Sequence, residues 1–178
     1  NLNAHYHIEI CPGTDEGLAK IVENRRIFLE EFKDIEPDYL SIGPYDQGGC
    51  SCSKCAPWGG NGYVKCCKAV IPVIKEYLPN TKIMLSTWQF GTFTGTEVEY
   101  EMLKKAIQED PVFDEVAYIN SEPQYQEYPF REGMSKPLIG FPEISMCGTL
   151  PWGGYGGNPI PKLLQILWDK NGDKLEGG

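Results

Sequence analysis

Pro37-Asp38-Tyr39-Leu40-Ser41-Ile42-Gly43-Pro44-Tyr45-Asp46-Gln47-Gly48-Gly49-Cys50-Ser51-Cys52-Ser53-Lys54-Cys55 carries the passage from a strand into a loop on which the fold turns. Residues 39–43 form a short apolar run bounded by turn residues, the pattern of a buried strand. A Gly- and Cys-rich loop then spans 44–61. Asn61 is placed to cap the helix that follows. In that helix Val64, Cys67, Val70, Ile71, Ile74 and Leu78 recur at helical spacing and predict its inner stripe. Pro72 falls inside the pattern, so a kink or a broken first turn is expected there. One strand, one long loop and one amphipathic helix make a β/α unit.

The same unit repeats outward in both directions. Upstream, residues 5–10 alternate, with Tyr6, Ile8 and Ile10 on one side and His5, His7 and Glu9 on the other, which predicts a strand. The turn Cys11-Pro12-Gly13-Thr14 leads to an amphipathic helix over 15–34, with Leu18, Ile21, Val22, Phe28, Leu29 and Phe32 as its apolar positions; Pro37 follows its end. Downstream, strands are predicted over 82–87, 115–120 and 137–141. A helix is predicted over 97–109 with Val98, Met102, Ala106 and Ile107 inward, and another over 161–170. The stretch 121–133 is irregular, and a Gly-rich segment spans 148–158.

Five β-then-α units in succession argue for α/β class with a parallel sheet and right-handed crossovers. The expected architecture is a partial TIM-type barrel, about five of its eight units. Residues 1–170 form a single β/α-barrel-like domain and 171–178 a polar tail. An open doubly wound sheet is the competing closure. Loops after the strands are long and chemically rich, whereas those after the helices (34–38 and 79–81) are short. That asymmetry favours the barrel, whose chemistry sits at the C-terminal ends of its strands.

The net charge is −9, with no Lys/Arg cluster to offset it, so nucleic acid is not an expected partner. No apolar run approaches the ~20 residues of a membrane helix, so none is expected to span a bilayer. The chain opens on Asn1, Leu2 and Asn3, and any leader is missing or was removed. A hydrophobic content of 41% and an aromatic content of 12% fit a folded domain.

Seven cysteines cannot all pair internally. Cys50, Cys52 and Cys55 read C-x-C-x-x-C, three thiols that a loop can turn toward one ion. Zinc in a structural site takes four ligands. The fourth is expected from Cys11, just past the preceding strand, with Cys66 and Cys67 as alternatives. Cys67 also lies on an apolar stripe, where it reads as plain core. A metal-free thiol cluster and a disulfide remain open readings. The spacing does not match the common ferredoxin runs.

The stretch 37–55 resembles a segment of bacterial (β/α)8-barrel glycoside-hydrolase-like proteins, in which a strand ends in an Asp/Gly-Gly turn and a C-x-C-x-x-C loop. It is similar to uncharacterised barrels related to α-glucuronidases and β-hexosaminidases. The cysteine spacing also resembles the zinc loop of family 42 β-galactosidases. There a cysteine from an earlier loop completes a four-cysteine site, a role that Cys11 matches. The resemblance implies a structural zinc, an oligo- or polysaccharide partner and a longer complete protein. The missing remainder of the barrel, or a second copy in a homo-oligomer, is then a further partner.

Carboxylates and aromatic residues fall near the strand ends, as sugar chemistry requires: acids for proton transfer and nucleophilic attack, aromatic faces for stacking. Glu143, Asp46 and Glu122 are the catalytic candidates. Trp88, Gln89, Glu9, Tyr45 and Trp152 are the substrate-binding candidates, and Trp58 lies in a Gly-rich loop beside them. For each acid the alternative is ordinary turn or surface chemistry; His5 and His7 read as structural. Two further readings stand against hydrolysis. One is a barrel piece that binds glycans without cleaving them or serves only structure. The other is an open flavodoxin-like domain, although 11–16 is no phosphate cradle. Clustered thiols favour a reducing compartment, whereas glycan-degrading proteins are often exported, so the compartment stays open.

Overall fold

A computed structural model describes residues 10–44, 49–88, 90, 96–121, 133–140 and 161–177. Along the chain these form α1 (Asp15–Phe32), β1 (Tyr39–Ile42), α2 (Gly62–Tyr77), β2 (Lys82–Ser86), α3 (Thr96–Glu109), a 3-10 turn (Pro111–Glu115), β3 (Val116–Ser121), β4 (Leu138–Gly140), α4 (Pro161–Asn171) and a second 3-10 turn (Gly172–Lys174). The strand expected over 5–10 lies outside the described residues except for Ile10.

All strand pairings are parallel, and the spatial order β1-β2-β3-β4 is the chain order. The expected α/β class with parallel β/α units is therefore present. Each crossover moves to the next neighbour in the same direction. With the right hand that such crossovers take, successive helices stack on one face. This is the winding of consecutive barrel units; a doubly wound sheet reverses direction at a switch point. After α4 the chain returns beside β4: Ile139 and Gly177 make a parallel bridge, with Gly140 N donating to Gly177 O at 2.8 Å. The polar stretch after α4 thus touches the sheet edge in the same sequential sense.

The core lies between the sheet and its helices. Ile42, Ile83, Leu85, Ile119 and Leu138 meet Leu29 of α1, the α2 stripe, and Tyr100, Leu103 and Ile107 of α3. Each fully buried Leu, Ile or Phe contributes about 1.5–3 kcal/mol. The sheet's other face is more open and mixed: Tyr39, Ser41 and Lys82 are exposed, and Met84, Ser86, Tyr118 and Asn120 half-buried. Tyr39 there contacts Tyr118 (5.7 Å between centroids) and lies under Lys82.

Several helices differ from expectation in detail. The α2 stripe is as read, with Cys67, Val70, Ile71, Ile74 and Leu78 buried and Val64 half-buried. The helix runs through Pro72 unbroken, with the ring on its exposed side. Asn61 sits at the N-cap position without a side-chain cap bond; its Nδ2 instead donates to Ala56 O at 2.7 Å. In α3, Val98 is 51% exposed, and the buried face is Glu99, Tyr100, Leu103 and Ile107. Phe90 and Glu99 pack against Gly59 and turn that face inward.

In α1 only Leu29 is fully buried, while Phe28 and Phe32 are each 45% exposed. Arg26 pairs with Glu76 of α2 at 2.8 Å. At about 100° per residue, Phe28 and Phe32 occupy the flank turned away from α2.

The helix-to-strand turns are short and pinned. Thr81 Oγ1 donates to Pro37 O at 2.7 Å, and Lys82 N donates to Asp38 O at 2.9 Å. A cavity of about 390 Å³ lined by Glu36, Tyr39, Asn80 and Lys82 lies at this end, remote from the long loops.

Candidate metal centre

Four cysteine sulfurs meet where the first two long loops adjoin. Cys11 precedes α1. Thr14 caps that helix, its Oγ1 accepting from Gly17 N at 3.0 Å, which fixes the turn 11–14. A side chain on Gly13 would crowd the sulfurs: its Cβ would lie 3.0 Å from Cys55 Sγ and 3.3 Å from Cys11 Sγ, so they would have to give way. From the other side, the 52–56 turn is closed by Cys55 N and Ala56 N, both donating to Cys52 O at 2.9 Å.

The loop is anchored to the helices behind it. The Trp58 indole is sandwiched between Gly49 and Gly62, where any Cβ would sit inside the ring's contact distance. Gly62 N donates to Cys55 O at 3.1 Å, and Gly59 N donates to Glu99 Oε1 at 3.2 Å. Trp58 also contacts the Tyr63 ring, which meets Phe90 edge-on at 5.3 Å. The buried Tyr63 hydroxyl donates to Ile42 O at 2.7 Å, tying α2 to the last residue of β1, where the loop departs.

Cys11 is the hub of the tetrad. Its sulfur lies 3.3 Å from that of Cys50 and 3.7 Å from those of Cys52 and Cys55, and all four lie within 4.8 Å of one another. Four sulfurs around a tetrahedral ion with metal–sulfur bonds of about 2.3 Å are about 3.8 Å apart. The donor set therefore fits a metal ion. Cys66 and Cys67, the alternative fourth ligands, are not in the group. Cys67 is fully buried in the core, as its place on the α2 stripe implies. Burial pushes the Cys66 thiol up to about 11.

Within the tetrad, burial is graded. Cys55 is 0% exposed, Cys11 and Cys50 are half-buried, and Cys52 is exposed. A hydrogen bond from the Lys54 backbone N–H, aided by neighbouring thiols, brings the Cys52 thiol down to about 6. Burial raises the thiols of Cys50 and Cys55. Thiols bind a cation as thiolates, so metal binding at this site displaces protons.

No family model matches this chain, and neither does any curated protein. One solved structure is similar. It is the GH53 catalytic domain of Ignisphaera aggregans, 16% identical, with a TM-score of 0.44, covering 90% of this chain and 53% of that one. The chain spans about half the length of that domain.

Of the other predicted site residues, Trp88 lies two residues past the end of β2, half-buried, its backbone N–H donating to Ser86 Oγ at 3.3 Å. Thr87 beside it donates through its N and Oγ1 to Asn120 O, joining β2 to β3 at their C-terminal ends. Glu9, Tyr45, Asp46, Gln89, Glu122, Glu143 and Trp152 lie outside the described residues, as do His5, His7 and Cys147. Sequence reasoning missed Gly13, Glu99 and Tyr63. Gly13 stood beside Cys11 in the quoted turn, and its missing side chain was the available signal. A buried Glu99 has no signature in periodicity, because its partner is a backbone N–H 40 residues away.

Proposed function

We propose that the chain is a carbohydrate-active, glycoside-hydrolase-like part of a (β/α) barrel, acting at the rim formed by the C-terminal ends of its strands. The observation that carries this is the sequential parallel strand order. It sends every loop that leaves a strand to one side of the sheet. In the chain, Asp46 follows β1, Trp88 follows β2, Glu122 directly follows β3 and Glu143 follows β4. Each strand thus leads into a candidate acid or stacking residue.

In this reading Glu143, Asp46 and Glu122 supply the acid, base or nucleophile. Trp88, Gln89, Glu9, Tyr45 and Trp152 hold the sugar rings. Cys11, Cys50, Cys52 and Cys55 hold a structural zinc, which closes with four thiolates and keeps no position for water. Its contribution is to fix the loop that carries Tyr45 and Asp46. The apolar flank of α1 receives a further β/α unit, from the remainder of a longer barrel or from a second copy.

Activity is tested by incubating the chain with a panel of polysaccharides and following released reducing ends, with Glu143→Gln and Asp46→Asn as controls. Loss of turnover in the variants with retained glycan binding supports catalysis. Binding that is lost in Trp88→Ala, with no turnover in any form, favours the non-cleaving alternative. Neither binding nor turnover on any glycan refutes the carbohydrate assignment. Elemental analysis is expected to find one zinc per chain.

A further inference from the structure

We propose that the four-cysteine site is a peroxide-sensitive switch in which exposed Cys52 is oxidised first and Cys11 resolves it, exchanging a metal link between two loops for a disulfide. The inference rests on the metal-binding role given above to the same site.

Three observations carry it. Cys52 is the exposed member of the tetrad, whereas Cys55 is fully buried and Cys11 and Cys50 are half-buried, so a small polar oxidant meets Cys52 first. The Cys11 sulfur lies 3.7 Å from Cys52 and contacts all three partners, so it is already in place to attack a modified Cys52. Cys11 precedes α1 and Cys52 follows β1, so their bond joins the same two loops that the metal joins. The turn 52–56 and the capped turn 11–14 keep both sulfurs at this spacing.

The chemistry balances with one hydrogen peroxide. The Cys52 thiolate attacks an oxygen of the peroxide; the S–O bond forms, the O–O bond breaks, and hydroxide leaves and is protonated to water. The Cys11 thiolate then attacks the Cys52 sulfur; the S–S bond forms, the S–O bond breaks, and hydroxide leaves and takes a proton from solvent to become a second water. The two sulfurs together lose two electrons and the peroxide gains them. The zinc ion is not oxidised. Left with Cys50 and Cys55, it has half its ligands and dissociates.

The test uses the full zinc-loaded chain with equimolar hydrogen peroxide. Released zinc is read with a chromogenic chelator, and the disulfide is read by peptide mass mapping. One zinc per chain should appear together with a Cys11–Cys52 linkage, and a dithiol reductant should restore binding. Zinc retained under peroxide, or released with a different linkage, overturns the proposal. Cys52→Asp keeps an oxygen ligand and removes the exposed sulfur, so peroxide-driven release should be lost. Cys66→Ser leaves the whole tetrad in place and should release as the parent does. Equal resistance or equal release in the two variants refutes Cys52 as the entry point; zinc content and circular dichroism confirm that each starts loaded and folded. A chain that takes up no zinc sinks the metal assignment separately. The metal-free chain then decides the pairing: Cys11–Cys52 supports it and any other disulfide overturns it.

Discussion

Replacing Tyr63 by phenylalanine removes one oxygen from the junction between β1, α2 and the cysteine loop. The Tyr63 hydroxyl donates to Ile42 O at 2.7 Å, with Tyr63 only 1% exposed and Ile42 5%. The ring contacts to Phe90 and Trp58 do not involve the oxygen and survive the change. What is lost is a buried hydrogen bond, and what remains is a carbonyl that water cannot reach. Leaving such a group short of a partner costs about 1–3 kcal/mol. For a chain of this size each kcal/mol lowers the melting temperature by about 2–4 °C. Thermal unfolding followed by circular dichroism, with urea unfolding as a check, measures the difference. Burial also raises the Tyr63 phenol well above its usual value of 10. Its contribution is therefore complete below about pH 10 and is lost as pH rises toward the folded value, because the unfolded chain ionises first. The variant should lack that alkaline component. A melting temperature within 1 °C of the parent, with unchanged secondary structure, would show that the bond does not hold the junction.

Three further outcomes follow from the same contacts. Gly13→Ala places a Cβ 3.0 Å from Cys55 Sγ and should weaken metal binding by about 10–100-fold, read by chelator competition; unchanged affinity would mean that the turn yields freely. Glu99→Ala removes a buried carboxylate that accepts from Gly59 N and should cost about 1.5–3 kcal/mol in urea unfolding; a cost below 0.5 kcal/mol refutes its anchoring role. Asp110→Ala removes both the ion pair with Lys68 and the cap on Val112 N and should lower the urea midpoint near neutral pH. Lys68, then the Val112 N–H, holds the Asp110 carboxyl below its usual 3.8. Its contribution is thus full above about pH 4 and lost as pH falls through the folded value, so parent and variant should converge in acid.

The strands among the described residues were legible because their patterns are local. Ile83 and Leu85 alternate with Lys82, Met84 and Ser86, and the alternation is their burial pattern. The same holds for the α2 stripe, where a long apolar face permits one orientation. For α3 the local signal was ambiguous: Val98 and Tyr100 are both apolar, and the choice fell to Phe90, Gly59 and Gly60 packing from other parts of the chain. Phe28 and Phe32 show the limit of amphipathicity. The pattern marks an apolar flank correctly, but whether that flank is covered depends on what lies beside it. The cysteine trio announced itself by spacing, and Cys11 joined it through the adjacency of consecutive loops. Asn61 carried a capping residue's identity in a capping residue's position, yet its amide reached back to Ala56 because that carbonyl lay closer to hand.

The position of the tetrad explains why a loop so poor in secondary structure can have a defined course. Ordering each residue costs about 1–2 kcal/mol of backbone entropy, and residues 49–61 contribute no member to the main apolar cluster except the half-buried Trp58 at its margin. The hydrophobic core therefore cannot order this loop by itself. Its order comes from contacts of another kind: the four sulfurs, the indole held between Gly49 and Gly62, and the Gly59–Glu99 bond. A structural zinc contributes about 10–16 kcal/mol in small metal-dependent domains, enough to offset the ordering of most of such a loop. On the proposed reading, core and metal site divide the work: the sheet and helices persist through apolar burial, while the loop after β1 takes its course from the bound metal.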